Sequence, residues 1–188
     1  MTERIKVCGV NDATFAMRAE ELGANYLGLI FAAGSPRQVS VPLAKSIAAT
    51  VKGAARLVGV FTTSTVEEIQ TVAREVGFQI VQLHRRATAE DVAALKSEGF
   101  EVWTLAGGAE TADALLFDST HGDGETALRK GPWTTILAGG ISVDNLEAAL
   151  VAGADVLDVS GSLESSKGVK SIAKLEDFWS RLTALRGF

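Results

Sequence analysis

Ala114-Leu115-Leu116-Phe117-Asp118 is an apolar run of strand length that ends in a carboxylate. The same construction occurs twice more. Ile5-Lys6-Val7-Cys8 ends in a thiol, and Asp155-Val156-Leu157-Asp158 ends in a second carboxylate. A loop or helix signal follows each run. In a parallel α/β barrel the strand C-termini all open on one face, and chemistry collects there. A thiol and two carboxylates on one such rim point to an acid–base enzyme.

Working outward, short apolar runs alternate with amphipathic stretches along the whole chain. Strands are expected at 4–8, 25–31, 56–61, 79–83, 101–105, 113–118, 134–138 and 154–159. Helical periodicity covers 12–23, 42–52, 65–77, 88–98, 142–152 and 172–186. Thr65 with Glu68, and Thr88 with Asp91, read as capping boxes. Gly23, Gly77, Gly99 and Gly153 follow helices, where a left-handed cap is expected. Eight strands with intervening helices predict a single-domain α/β protein over 1–188, a (β/α)8 TIM barrel. An open doubly wound sheet is the rival arrangement. The segment from Ala106 to Ala112 is too short for a crossover helix, so helix 5 is expected to be a loop. Between Ser119 and Trp133 there is room for a loop and about one or two turns of helix.

Composition narrows the function. The chain has 188 residues, 47% of them hydrophobic, enough for one sizeable core. Its net charge of −5 argues against nucleic acid as the main partner. No apolar run is long enough to span a membrane. The N-terminus lacks the apolar core of a signal peptide. A lone cysteine allows no internal disulfide and fits a reducing cytoplasm. That cysteine and the two histidines have no metal-ligand spacing. A monomer is the default expectation.

Strand alternation puts Cys8 on the face of Lys6, Asp118 on that of Leu116, His84 on that of Gln82, and Asp158 on that of Val156. Strands buried on both faces should be apolar, so polar groups at their C-terminal ends need a reason. Plain structural readings exist for each: a buried thiol for Cys8, a turn or cap for Asp118, a structural hydrogen bond for His84 or Asp158. Gly139-Gly140 ends the seventh strand. Ser160-Gly161-Ser162 ends the eighth, with Lys167-Gly168 beyond. Two glycine-bearing loops on consecutive strand ends suit a phosphate cradle. No equivalent lies in the first half, which suggests a ligand with one phosphate. Arg37, after Ser35-Pro36, could hold a carboxylate bidentately. Of Arg85 and Arg86, at most one should point inward to an anion.

Taken together, these stretches resemble the phosphoribosylanthranilate isomerase family. The similarity rests on Lys6-Val7-Cys8-Gly9, Gly23-Ala24-Asn25-Tyr26-Leu27-Gly28, Ser35-Pro36-Arg37, Val58-Gly59-Val60-Phe61, Val81-Gln82-Leu83-His84, Leu116-Phe117-Asp118, Leu137-Ala138-Gly139-Gly140 and Asp158-Val159-Ser160. The resemblance implies a barrel with a degenerate fifth helix. It implies an isomerase of tryptophan biosynthesis that carries out an Amadori rearrangement. N-(5-phosphoribosyl)anthranilate, a phosphorylated aminoaldose, becomes 1-(2-carboxyphenylamino)-1-deoxyribulose 5-phosphate without metal or redox cofactor. By the family's mechanism Asp118 would be the general acid and Cys8, as thiolate, the general base. Arg37 would hold the anthranilate carboxylate, and Asp158 would orient the substrate amine or hydroxyls. His84 joins the substrate-binding wall. Gly139, Gly140, Gly161 and Ser162, with Ser160 beside them, would hold the phosphate. A free thiol has a pKa of about 8.5 and needs activation, and Lys6 is the nearby candidate.

The chain departs from the family at Arg85, usually glycine, at Gly122-Asp123-Gly124-Glu125, and at Ser160-Gly161-Ser162-Leu163-Glu164, where Ser-Ser-Gly-Val-Glu is usual. Two other readings are open. One is an isomerase of the histidine-pathway aminoaldose, or of both substrates; that family typically carries aspartate at the position of Cys8 and a second phosphate loop. The other is a non-catalytic barrel that binds a phosphorylated metabolite.

Overall fold

The computed structural model describes residues 3–120 and 127–187. Eight parallel strands close into a barrel: β1 (Arg4–Cys8), β2 (Tyr26–Ile30), β3 (Arg56–Phe61), β4 (Ile80–Leu83), β5 (Glu101–Leu105), β6 (Ala114–Asp118), β7 (Thr134–Ala138) and β8 (Val156–Val159). Closure comes from β8 pairing with β1, which sets Lys6 opposite Asp158. An open sheet has no such pair, so the doubly wound alternative falls.

The helices are α1 (Ala13–Glu21), α2 (Val41–Thr50), α3 (Val66–Val76), α4 (Ala89–Ser97), α5 (Leu146–Val151) and α6 (Ile172–Arg186). Both capping boxes form. Thr65 and Thr88 each accept from the amide three residues on, and Glu68 and Asp91 reach back. The four glycines after helices have the left-handed conformation their positions require. As expected, β5 and β6 are joined without a helix.

Local detail differs from expectation or adds to it. The helix expected over 142–152 begins only at Leu146. Asn145 spends its side chain on the preceding turn, accepting from the Ser142 amide and donating to the Gly140 carbonyl. The helix therefore starts without a side-chain cap. Residues 127–133 hold no helix, and 121–126, the rest of the stretch with room for a turn or two, lie outside the described residues. Finally, a short hairpin, β9 (Glu164–Ser166) and β10 (Val169–Lys170), stands between β8 and α6, preceded by a 3₁₀ turn at Gly161–Leu163. Nothing in the apolar periodicity announces it.

Two packed regions follow from strand alternation. Outward side chains such as Val7, Leu27, Val81, Leu115 and Leu157 pack under the helices. Inward ones, including Tyr26, Val58, Ile80, Trp103, Leu116, Ile136 and Val156, fill the barrel below the rim. Trp103 meets Tyr26 edge to face, with ring centroids 5.0 Å apart. The interior is thus a packed plug, and open space begins at its C-terminal end. Among the described residues no helix is long and apolar enough to cross a membrane.

Candidate active site

A cleft of about 750 Å³ opens over the C-terminal ends of the strands. Its floor and walls include the proposed acid–base residues Cys8 and Asp118, with Arg37, His84 and Asp158. Gly139, Gly140, Ser160, Gly161 and Ser162 line the side formed after β7 and β8. These ten of the residues marked out by the sequence therefore meet in one cavity. Arg85 and Arg86 are not in its lining. Arg85 donates to Asp91 Oδ2 at 2.6 Å, the oxygen that also accepts from the Thr88 amide. It reinforces the start of α4, and the expected anion wall gains nothing from it. The altered stretch Gly122–Glu125 lies outside the described residues.

Cys8 ends β1 at 8% exposure, one inward position above the wholly buried Lys6. Lys6 Nζ donates to Asp158 Oδ2 at 2.6 Å. Burial opposes the ammonium, but Asp158 and Cys8 outweigh it and raise the lysine's pKa. Burial likewise pushes the Cys8 thiol up. Lys6 and Lys170 pull it down, Asp158 pushes it up, and the net direction is upward. Lys6 thus acts in the expected sense without overcoming desolvation. Losing Lys6 alone would strand the Asp158 charge, which typically costs roughly 3–5 kcal/mol. Asp158 lines the cleft, and its Oδ1 is buried and has no hydrogen-bond partner among the described residues.

Asp118 ends β6 at 7% exposure. Its Oδ1 accepts from the Thr120 amide at 2.9 Å and the Thr120 hydroxyl at 2.6 Å. Its Oδ2 lies 3.8 Å from His84 Nε2. His84 Nδ1 is in turn 3.3 Å from Gln82 Nε2. Gly139 has a second duty besides any phosphate contact. A Cβ there would fall 2.5 Å from Asp118 Oδ1, and its φ is +90°. Glycine lets the β7 loop close against the carboxylate.

Arg37 is held more tightly than the sequence suggests. Its Nε and Nη2 donate to the two oxygens of Glu164, at 2.5 and 3.0 Å. Lys170, almost fully buried, donates to Glu164 Oε1 and to the Ser160 carbonyl. The Gly168 amide donates to Glu164 Oε2, so this glycine is not part of an anion cradle. Burial pushes the Glu164 carboxyl up, but these donors bring it down to about 2. The side-on edge of the guanidinium is therefore filled, and the Nη1–Nη2 edge is left for another carboxylate. In the neighbouring loops, Ser160 donates its hydroxyl to the Cys8 carbonyl and Ser162 to that of Ile141. These serines lock the loops together, and any anion would meet backbone amides.

Thr120, Gln82, Glu164 and Lys170 were not singled out by the sequence. Gly28 was quoted only within a similar stretch; in space it clears room for Cys8.

A family model described as N-(5'phosphoribosyl)anthranilate (PRA) isomerase matches residues 5–181. The N-(5'-phosphoribosyl)anthranilate isomerase of Rhodospirillum centenum is 33% identical, over 98% of this chain and 100% of its own. That of Neisseria gonorrhoeae is 32% identical, over 93% and 94%. The crystal structure of phosphoribosyl anthranilate isomerase from Thermus thermophilus superposes with a TM-score of 0.84 at 33% identity, covering 97% of this chain and all of the other. With a family match over residues 5–181, relatives aligned over nearly the whole of both chains and the same closed barrel, the chain belongs to the phosphoribosylanthranilate isomerase family.

Proposed function

We propose that this chain is one catalytic barrel, residues 1–188, that converts N-(5-phosphoribosyl)anthranilate into 1-(2-carboxyphenylamino)-1-deoxyribulose 5-phosphate. The observation that carries the reading is the facing pair at the cleft: a thiol on β1 and a carboxyl on β6, with an arginine and two glycine loops around them. Asp118 gives its proton to the ribose ring oxygen as the C1–O bond breaks, leaving an imine protonated on the anthranilate nitrogen. Cys8 thiolate takes the C2 proton, and the electron pair of that C–H bond forms the C1–C2 double bond of an enaminol. Tautomerisation to the C2 ketone completes an isomerisation in which no atom is gained or lost. Thr120 occupies Oδ1 of Asp118, so Oδ2 is the oxygen that carries and delivers the proton. Asp158 Oδ1 accepts from the substrate amine or a hydroxyl.

The reading includes a monomer in the cytoplasm, a compartment that the single cysteine of the sequence fits. The test is turnover of this aminoaldose and of the two-phosphate histidine-pathway aminoaldose by the wild type and a Cys8 variant. Turnover of the first alone supports the proposal. Turnover of the second alone, or of neither, overturns it.

Arg37 holds the anthranilate carboxylate through its Nη1–Nη2 edge, because Glu164 fills the other. Glu164→Gln should then loosen the arginine without touching the reacting atoms. The expected outcome is a KM rise on the order of tenfold with kcat within about threefold. An unchanged KM would remove Arg37 from this role.

The phosphate sits between the loops after β7 and β8. A crystal soaked in phosphate should hold the anion against the amides of Gly140 and Gly161. An anion seated only elsewhere, or equally near the end of β3, counts against the assignment.

A further inference from the structure

Lys6 is a costly residue to keep: an ammonium with no exposure, in the interior of a barrel. The rearrangement itself asks for an acid and a base, and Lys6 is neither. Its setting shows what it does. Nζ donates to Asp158 Oδ2 at 2.6 Å. The β1 alternation places it directly below Cys8 on the inner face of the barrel. Gly28 of β2 leaves the space in which they meet. A Cβ at Gly28 would lie 2.9 Å from Cys8 Sγ and 3.3 Å from Lys6 Nζ. The other oxygen of this carboxylate, Asp158 Oδ1, is buried and has no partner among the described residues. One ammonium therefore stands between two groups that can each bear negative charge, and one of these has an oxygen waiting for a donor.

We propose that Lys6 is a positioning residue that divides its charge between Asp158 and Cys8, and that neutralising Asp158 turns Lys6 toward the thiol and raises the share present as thiolate. The proposal rests on Cys8 being the base. A donor from bound substrate at Asp158 Oδ1 would act in this sense. The free enzyme then keeps an unreactive thiol, and the base is generated only when the amine is in place. Besides Lys6, the charges that act on Cys8 among the described residues are Asp158 from β8, Lys170 from β10 and Arg37 from the loop after β2, and Asp118 and His84 share its cleft. Burial and Asp158 both oppose the thiolate, and of the two only the Asp158 charge can be neutralised by a ligand.

Cys8 is the only cysteine in the chain, so alkylation of the intact enzyme by iodoacetamide reports on one thiol. The rate is measured against pH for the wild type, Asp158→Asn, and Lys6→Met combined with Asp158→Asn. The double variant avoids leaving a buried charge alone. Asp158→Asn should lower the midpoint of the alkylation profile by about one pH unit, and adding Lys6→Met should raise it again by at least as much. Equal midpoints in the single and double variants overturn the proposal. The near-isosteric Asp158→Asn comparison is sufficient if the double variant does not fold: an unchanged or higher midpoint there overturns it too. A purely structural Lys6 would shift thermal stability and leave these midpoints alone. The readout involves no turnover, so it can succeed while the Cys8 base role fails in the Cys8→Ser assay, and the reverse.

Discussion

Cys8→Ser should fold like the wild type and lose about 10²- to 10⁴-fold in kcat, the usual contribution of a general acid–base group. The fold is safe because the hydroxyl is slightly smaller than the thiol and keeps the same rotamer space beside Gly28. The chemistry is not safe, because a serine hydroxyl is a far weaker base near neutral pH than a thiol. A loss of 10² corresponds to about 2.7 kcal/mol of transition-state stabilisation. Substrate binding should change little, since no binding role is assigned to Sγ. Steady-state kinetics with N-(5-phosphoribosyl)anthranilate reads both parameters. Near wild-type turnover would make Cys8 a packing residue and the base would have to be sought elsewhere in the cleft.

That cleft was partly legible in the sequence, and its supporting contacts were not. Cys8, Asp118 and Asp158 are visible because an ionisable group at the end of an apolar strand violates the pattern of a fully buried strand. Parity alone then assigns them to the inner face. The Lys6–Asp158 pair spans 152 positions and follows only from barrel closure, through the β1–β8 register. Once the barrel is assumed, first and last strands become neighbours and the pair is derivable. Burial is different. Adjacency suggests that Lys6 lowers the Cys8 pKa, but the net direction is set by the desolvation of a filled barrel, which no local pattern encodes. The grip of Glu164 on Arg37 depends on the hairpin 164–170, whose strands of three and two residues are too short for periodicity. Arg85 shows the opposite error. Its position beside His84 suggests the site, yet Asp91 in the α4 cap lies nearer and captures it.

Asp118→Asn should leave substrate binding within a few-fold of wild type and lower kcat on the order of 10²-fold or more. Asn can reproduce most of the geometry. Its carbonyl oxygen can accept from Thr120 as Oδ1 does now, and its amide takes the place of Oδ2. Gly139 already gives the clearance the side chain needs. What is lost is the proton. An amide donates a hydrogen bond to the ring oxygen but cannot transfer a proton to it as the bond opens. One limb of the pH–rate profile should vanish with it, because a titrating group has been removed. The competing assignment makes Asp158 the acid and Asp118 a turn residue. The contacts argue against it. Asp158 Oδ2 accepts from a buried ammonium, a partner suited to a carboxylate, whereas Asp118 meets a hydroxyl, an amide and an imidazole. The two Asn variants measured side by side decide between them. Normal turnover in Asp118→Asn with a dead Asp158→Asn would exchange the two roles, while the barrel and its family would stand unchanged.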